Sequence, residues 1–105
     1  IRCISLQPDA PFHGIEGAKH MASALVPRIY DPSLADEDRG VSTEAAYAMA
    51  KRLAREEGLL VGVSAAAAVV GSLDVARSLR PPAVVVTILP DGGERYLSER
   101  FWEEP

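Results

Sequence analysis

The 105 residues predict an α/β fold: an open, mostly parallel sheet with helices on both faces. Three observations lead there. Ala83–Leu89 is a continuous, largely β-branched run, the pattern of a parallel strand buried on both faces. From Ser42 to Glu57 the residues Ala46, Ala50, Leu53 and Glu57, with Tyr47 and Ala54 beside them, recur at three- and four-residue steps, as on a helix with one buried face. Strand-like and helix-like stretches alternate along the chain, which implies right-handed crossovers. The expected order is strand, loop, strand, helix, strand, helix, strand and a short tail helix.

The extended run Arg2–Gln7 should be the first strand, with Cys3 as a small buried residue. It begins within two residues of Ile1, so the chain reads as a segment cut from a larger fold. Residues 8–33 carry Pro8, Pro11, Gly14, Gly17, Pro27 and Pro32, which break regular structure and predict a long loop on the substrate side. Within it, Ala18–Leu25 has the composition of a short helix. Asp38–Val41 should be a brief strand. Ser42 suits the N-cap of the next helix, and Gly58 suits its C′ stop. Leu59–Val63 is a short apolar run expected as a strand. Ser64–Ser78 follows as a helix that is apolar on nearly every face through Val70, hence covered on several sides. Arg80-Pro81-Pro82 ends it before the Ala83–Leu89 strand. Phe101 and Trp102 in the tail should supply buried packing area.

Composition narrows the function. The net charge of −4, with lysine and arginine scattered among acids, lacks the basic stripe that nucleic acids need. The longest uncharged stretch, Leu59–Leu73, falls short of a membrane span, and the expectation is a soluble, cytoplasmic protein. A single cysteine allows no internal disulfide and no cysteine-based metal site.

Two turns carry the chemistry. Ser64 stands where a strand should end and a helix begin, so its hydroxyl either caps the helix or faces a ligand in the crevice at the sheet edge. Gly62-Val63-Ser64-Ala65-Ala66 lacks the second glycine of a nucleophile elbow, and both histidines, His13 and His20, lie too early for a hydrolase triad. Pro90-Asp91-Gly92-Gly93-Glu94-Arg95 follows the buried run and reads either as a tight turn or as a nest of backbone N–H groups for an anion. His13, Lys19, His20 and Arg28 punctuate the long loop. Only Glu16 lies near the histidines as a third ligand, so no metal site is expected.

Taken together, Arg52–Ser64 and Val86–Ser98 resemble the C-terminal part of the large domain of cysteine synthases (O-acetylserine sulfhydrylases). These are fold-type II pyridoxal-phosphate enzymes of the β-family, related to cystathionine β-synthase and the serine/threonine dehydratases. Val26–Leu34 is similar to a segment that crosses below the active site there. The resemblance implies that Ser64 meets the pyridine nitrogen of pyridoxal 5'-phosphate, that Pro90 and Asp91 lie beside the ring, and that Gly14 and Ile15 face the substrate. Two departures stand out: Ala66 replaces a usual glycine, and Gly14–Met21 differs from the glycine-rich Q-G-I-G-A-G-F loop.

No residue of this segment is expected to be catalytic in the covalent sense. The Schiff-base lysine and the phosphate loop belong to other parts of such enzymes, and Lys19 and Lys51 are the only lysines present. The expectation is therefore a segment, inactive alone, of a homodimeric enzyme. That enzyme makes L-cysteine from O-acetylserine or O-phosphoserine and sulfide. The alternatives are a cystathionine β-synthase or dehydratase segment and, in another class, a non-catalytic α/β binding module.

Overall fold

Residues 1–105 are described by a computed structural model. Ile4–Pro8 (β1) and Glu37–Val41 (β2) pair in parallel, in a register running from Ile4 opposite Glu37 to Pro8 opposite Val41. Polar side chains reinforce the ladder at its open edge. Arg2 reaches Glu37 across the pair at 2.7 Å and the Ser5 hydroxyl donates to Asp38 at 2.6 Å, while Arg39, on the same strand as Glu37, holds it at 2.6 Å. Between β1 and the short 3₁₀ turn Pro32–Leu34 the chain forms no helix or strand.

Ser42 caps helix α1 (Thr43–Arg52) by accepting the Ala45 N–H at 3.1 Å. The helix widens into a π turn over Leu53–Glu57 and stops at Gly58. There φ is +68°, a left-handed conformation that costs an L side chain energy and glycine little. Helix α2 (Val63–Ser78) lies against both strands and packs on α1. Small residues make that approach possible, since Ala46 and Ala50 of α1 and Ala65 and Ala66 of α2 are fully buried. Two 3₁₀ turns, Gly93–Tyr96 and Arg100–Trp102, complete the chain, and Phe101 is buried as expected.

The α/β class holds, and four local expectations do not. Cys3 is exposed; it precedes the paired residues, and its N–H is held by Asp36 at 2.7 Å with no layer packed over the thiol. Ala18–Leu25 forms turns, because the Met21 N–H is taken by the Gln7 side chain at 2.8 Å instead of by a helical carbonyl. Leu59–Val63 contributes a single antiparallel bridge, Val61 to Gly92, so that run lacks a strand neighbour.

The largest difference lies in Ala83–Leu89, which pairs with nothing and is exposed throughout. Val84, Val86 and Ile88 are 89, 85 and 78% accessible, whereas Val85 and Leu89 are 39 and 40%. That two-residue alternation is a strand's, yet no ladder partner exists among these 105 residues. The 44 backbone hydrogen bonds compare with roughly 70 for a domain of this length. The radius of gyration, 14.2 Å, exceeds the about 13 Å of a compact chain this long.

Candidate functional site

The first turn of α2 decides what Ser64 can do. Gly62, not Ser64, is the N-cap: its backbone is extended, and its carbonyl accepts the Ala66 N–H at 3.0 Å. Ser64 is therefore the second residue inside the helix, half-buried, and its hydroxyl caps nothing. The capping alternative fails because Gly62 occupies the N-cap position and the Ser64 hydroxyl bonds none of the first-turn N–H groups.

The Pro90–Gly93 turn docks directly on the residues before α2. The Gly62 N–H donates to the Asp91 carbonyl at 3.2 Å, and the Gly93 N–H donates to the Leu60 carbonyl at 3.0 Å. With its second glycine N–H spent in this way, the turn is a tight connection and not an anion nest. Pro90 is exposed at its edge.

Asp91 sits at the junction. One carboxylate oxygen, Oδ2, accepts from the Tyr96 phenol at 2.5 Å. The other, Oδ1, is buried without a partner. A buried acceptor left unpaired costs about 1–3 kcal/mol, so it marks a position where a donor from elsewhere would be stabilising. Gly62 has no side chain for a spatial reason, since a β-carbon there would lie 2.0 Å from Asp91 Oδ1. The bond to Asp91, followed by burial, raises the Tyr96 pKa above the ordinary 10.0, so the phenol stays a donor across the neutral range.

A cavity of about 150 Å³ separates this junction from the long loop. His13, Gly14, Val63, Tyr96, Tyr47 and Phe101 line it together with the carboxylates Glu16 and Glu99. Ile15 is 2% accessible, so its side chain anchors the loop in the core. The Gly14 N–H donates to Thr43 Oγ1 at 2.9 Å, and the Ile15 N–H to His13 Nδ1 at 3.2 Å. Burial, and then the negative field of Glu99 and Glu16, raises the Tyr47 pKa. His20 pairs locally with Ser23 at 2.8 Å, and Lys19 and Arg28 are exposed. Lys51 donates to the Glu104 carbonyl in the tail.

The fold thus brings Gly14 and Val63, at the start of α2, around one cavity, while Ser64, Pro90 and Asp91 are not among the residues that line it. Tyr47 and Tyr96 join it without having been singled out by the sequence. Tyr47 reads there as one more residue of an amphipathic face, and Asp91 to Tyr96 is a spacing that no regular element makes meaningful.

A helix start with a turn docked on the residues before it, beside a cavity, is the arrangement of a ligand-binding α/β protein. The chain belongs to the pyridoxal-phosphate dependent enzyme family, whose model matches residues 5–91. It is 41% identical over 107 residues to a cysteine synthase of Aquifex aeolicus, covering 99% of this chain and 33% of that protein. It is 39% identical to a probable cysteine synthase of Bacillus subtilis, covering 92% and 36%. Among solved structures, an O-ureido-L-serine synthase bound to O-ureido-L-serine superposes with a TM-score of 0.89 at 31% identity, over 99% of this chain and 34% of that one. The cysteine synthase of Entamoeba histolytica gives 0.84 at 28% identity, over 100% and 33%. The chain spans about a third of the length of the curated relatives it matches.

Proposed function

We propose that the full-length protein is a pyridoxal-phosphate-dependent cysteine synthase that makes L-cysteine from an activated serine and sulfide. Residues 1–105 would complete its large domain and supply the pyridine side of the cofactor pocket. The relatives support the reaction. The observation that carries the site is the unengaged Ser64 hydroxyl in the first turn of α2, close in sequence to Gly62, on which the Asp91 turn is docked.

These residues fit such a ring. Ser64 offers a neutral hydroxyl to the ring nitrogen, and the polar edge beside the ring would occupy the environment of the unpaired Asp91 oxygen. Tyr96 holds the Asp91 carboxylate against Gly62, which leaves the space for it. Pro90 borders the ring, and the Gly14–Ile15 segment walls the substrate side. When bound, the cofactor supplies an electron sink suited to elimination from, and addition to, the β-carbon of an amino acid. A neutral partner at its nitrogen moderates that sink, as β-replacement requires.

The 105 residues alone would be inactive. Lys19 is a solvated loop residue and Lys51 is committed to the tail, so neither is placed to bind the cofactor covalently. By family resemblance the full enzyme would be a cytoplasmic homodimer. No helix here is long and apolar enough to cross a membrane.

Substituting Ser64→Ala in the full-length protein should lower kcat by about 10-fold or more and shift the cofactor's absorption, while borohydride still fixes the cofactor to the protein. Unchanged turnover and spectrum would refute the assigned contact. An acceptor other than sulfide is the second reading, favoured by an O-acetylserine-dependent cystathionine β-synthase that superposes at 0.84 with 32% identity. Product analysis with competing acceptors separates the two.

A further inference from the structure

We propose that Tyr47 is a positioning residue that sets the height of the Gly14–Ile15 wall over the substrate, an inference that rests on the substrate-side reading of that wall. Thr43 and Tyr47, four residues apart, share one face of α1 and meet the loop together. Thr43 draws the loop inward by accepting the Gly14 N–H at 2.9 Å. Tyr47 stops it: a β-carbon on Gly14 would stand 2.1 Å from the phenol oxygen and 3.0 Å from the ring carbon bearing it.

A stop works only if it cannot swing away, and Tyr47 is braced. Its ring lies flat on buried Phe101, with centroids 4.4 Å apart and planes 1° from parallel. Phe101 is backed by Trp102 at 4.6 Å, and the Trp102 indole N–H donates to the Tyr96 carbonyl at 2.7 Å. Tyr96 in turn holds Asp91. The loop wall and the turn at the far side of the crevice are thus referenced to one aromatic stack. The Thr43 methyl carbon would stand 2.9 Å from the same β-carbon, so Thr43 and Tyr47 both bound the approach, and the phenol oxygen at 2.1 Å is the nearer limit.

The test is a double-mutant cycle in the full-length protein. Gly14→Ala should raise KM for the activated serine by about 10-fold while kcat changes by less than about 3-fold. Adding Tyr47→Phe, which removes the oxygen at 2.1 Å, should recover about 3-fold or more of that loss. In the cofactor-free protein, amide exchange at Ile15 should accelerate in Gly14→Ala and slow again in the double variant. Additive effects would overturn the proposal. Rescue of exchange with KM unchanged throughout would overturn it too, since the wall would then be pinned by Tyr47 without governing substrate. Should Gly14→Ala fail to fold, Tyr47→Phe alone should change KM by about 3-fold with an unaltered circular dichroism spectrum, and an identical KM would sink the idea. The Ser64→Ala spectrum reports on the cofactor contact independently, so failure there leaves the Tyr47 result interpretable by exchange.

Discussion

Asp91 shows how one residue can join elements that sequence separates by a whole helix. Its main-chain carbonyl takes the Gly62 N–H, and its carboxylate takes the Tyr96 phenol. Removing the phenol oxygen should therefore cost more than an exposed hydrogen bond would. Tyr96→Phe is expected to destabilise the full-length protein by about 1–2 kcal/mol, read from the denaturant midpoint; Tyr96 is only half-buried, which keeps the figure below that of a fully desolvated pair. The pH dependence has a definite sign. Because folding raises the phenol's pKa, the stabilisation is complete below the ordinary value of 10.0 and disappears as pH rises through the folded-state value. The gap between wild type and Tyr96→Phe should stay constant from pH 7 to about pH 9 and close in stronger base. A gap that widened with pH would mean that the phenolate is the favoured form.

At the scale of elements, local chemistry was legible wherever the deciding groups lie close in sequence. Ser42 and Gly58 bracket α1 and its π turn because a cap needs only its own three or four neighbours, and both are found in those roles. Replacing Gly58 by alanine should cost about 1–2 kcal/mol through the positive φ alone, since a β-carbon there meets nothing within 4 Å. Thermal unfolding of the full-length variant checks this, and an unchanged midpoint would show that the turn relaxes. Elements whose form is decided at long range were not legible. Ser64 was open between cap and ligand because nothing local reveals that Gly62 takes the capping position. The Ala18–Leu25 turns depend on Gln7, fourteen residues before Met21. Of the cavity's lining, Gly14 was legible as a site residue, while the Tyr47 side was not. Tyr47 reaches Gly14 across 33 residues and stacks on Phe101 across 54, distances over which no sequence period operates.

Across the whole molecule the decisive fact is how much apolar surface stays open. Ala83–Leu89 is strand-like in composition and in the alternation of its exposure, yet its backbone has no ladder and Val84, Val86 and Ile88 face solvent. Beside it, a groove of about 480 Å³ runs between this segment, the outer edge of β1 and the Val75–Leu79 end of α2. An uncharged, β-branched, unpaired run is a template for association, and natural domains cover such edges. If the rest of the full-length protein provides that cover, one pair of substitutions should act in opposite directions in two contexts. Val84→Lys with Val86→Lys should make the isolated 105-residue chain more soluble and reduce its binding of an apolar dye. In the full-length protein the same pair should abolish soluble expression, because two charges would be buried without partners. Light scattering and dye fluorescence read the first arm, and soluble yield reads the second. An isolated chain that is already monomeric and dye-silent would show that the run is satisfied without outside cover. A full-length protein that tolerates both lysines would show that it remains on the surface there.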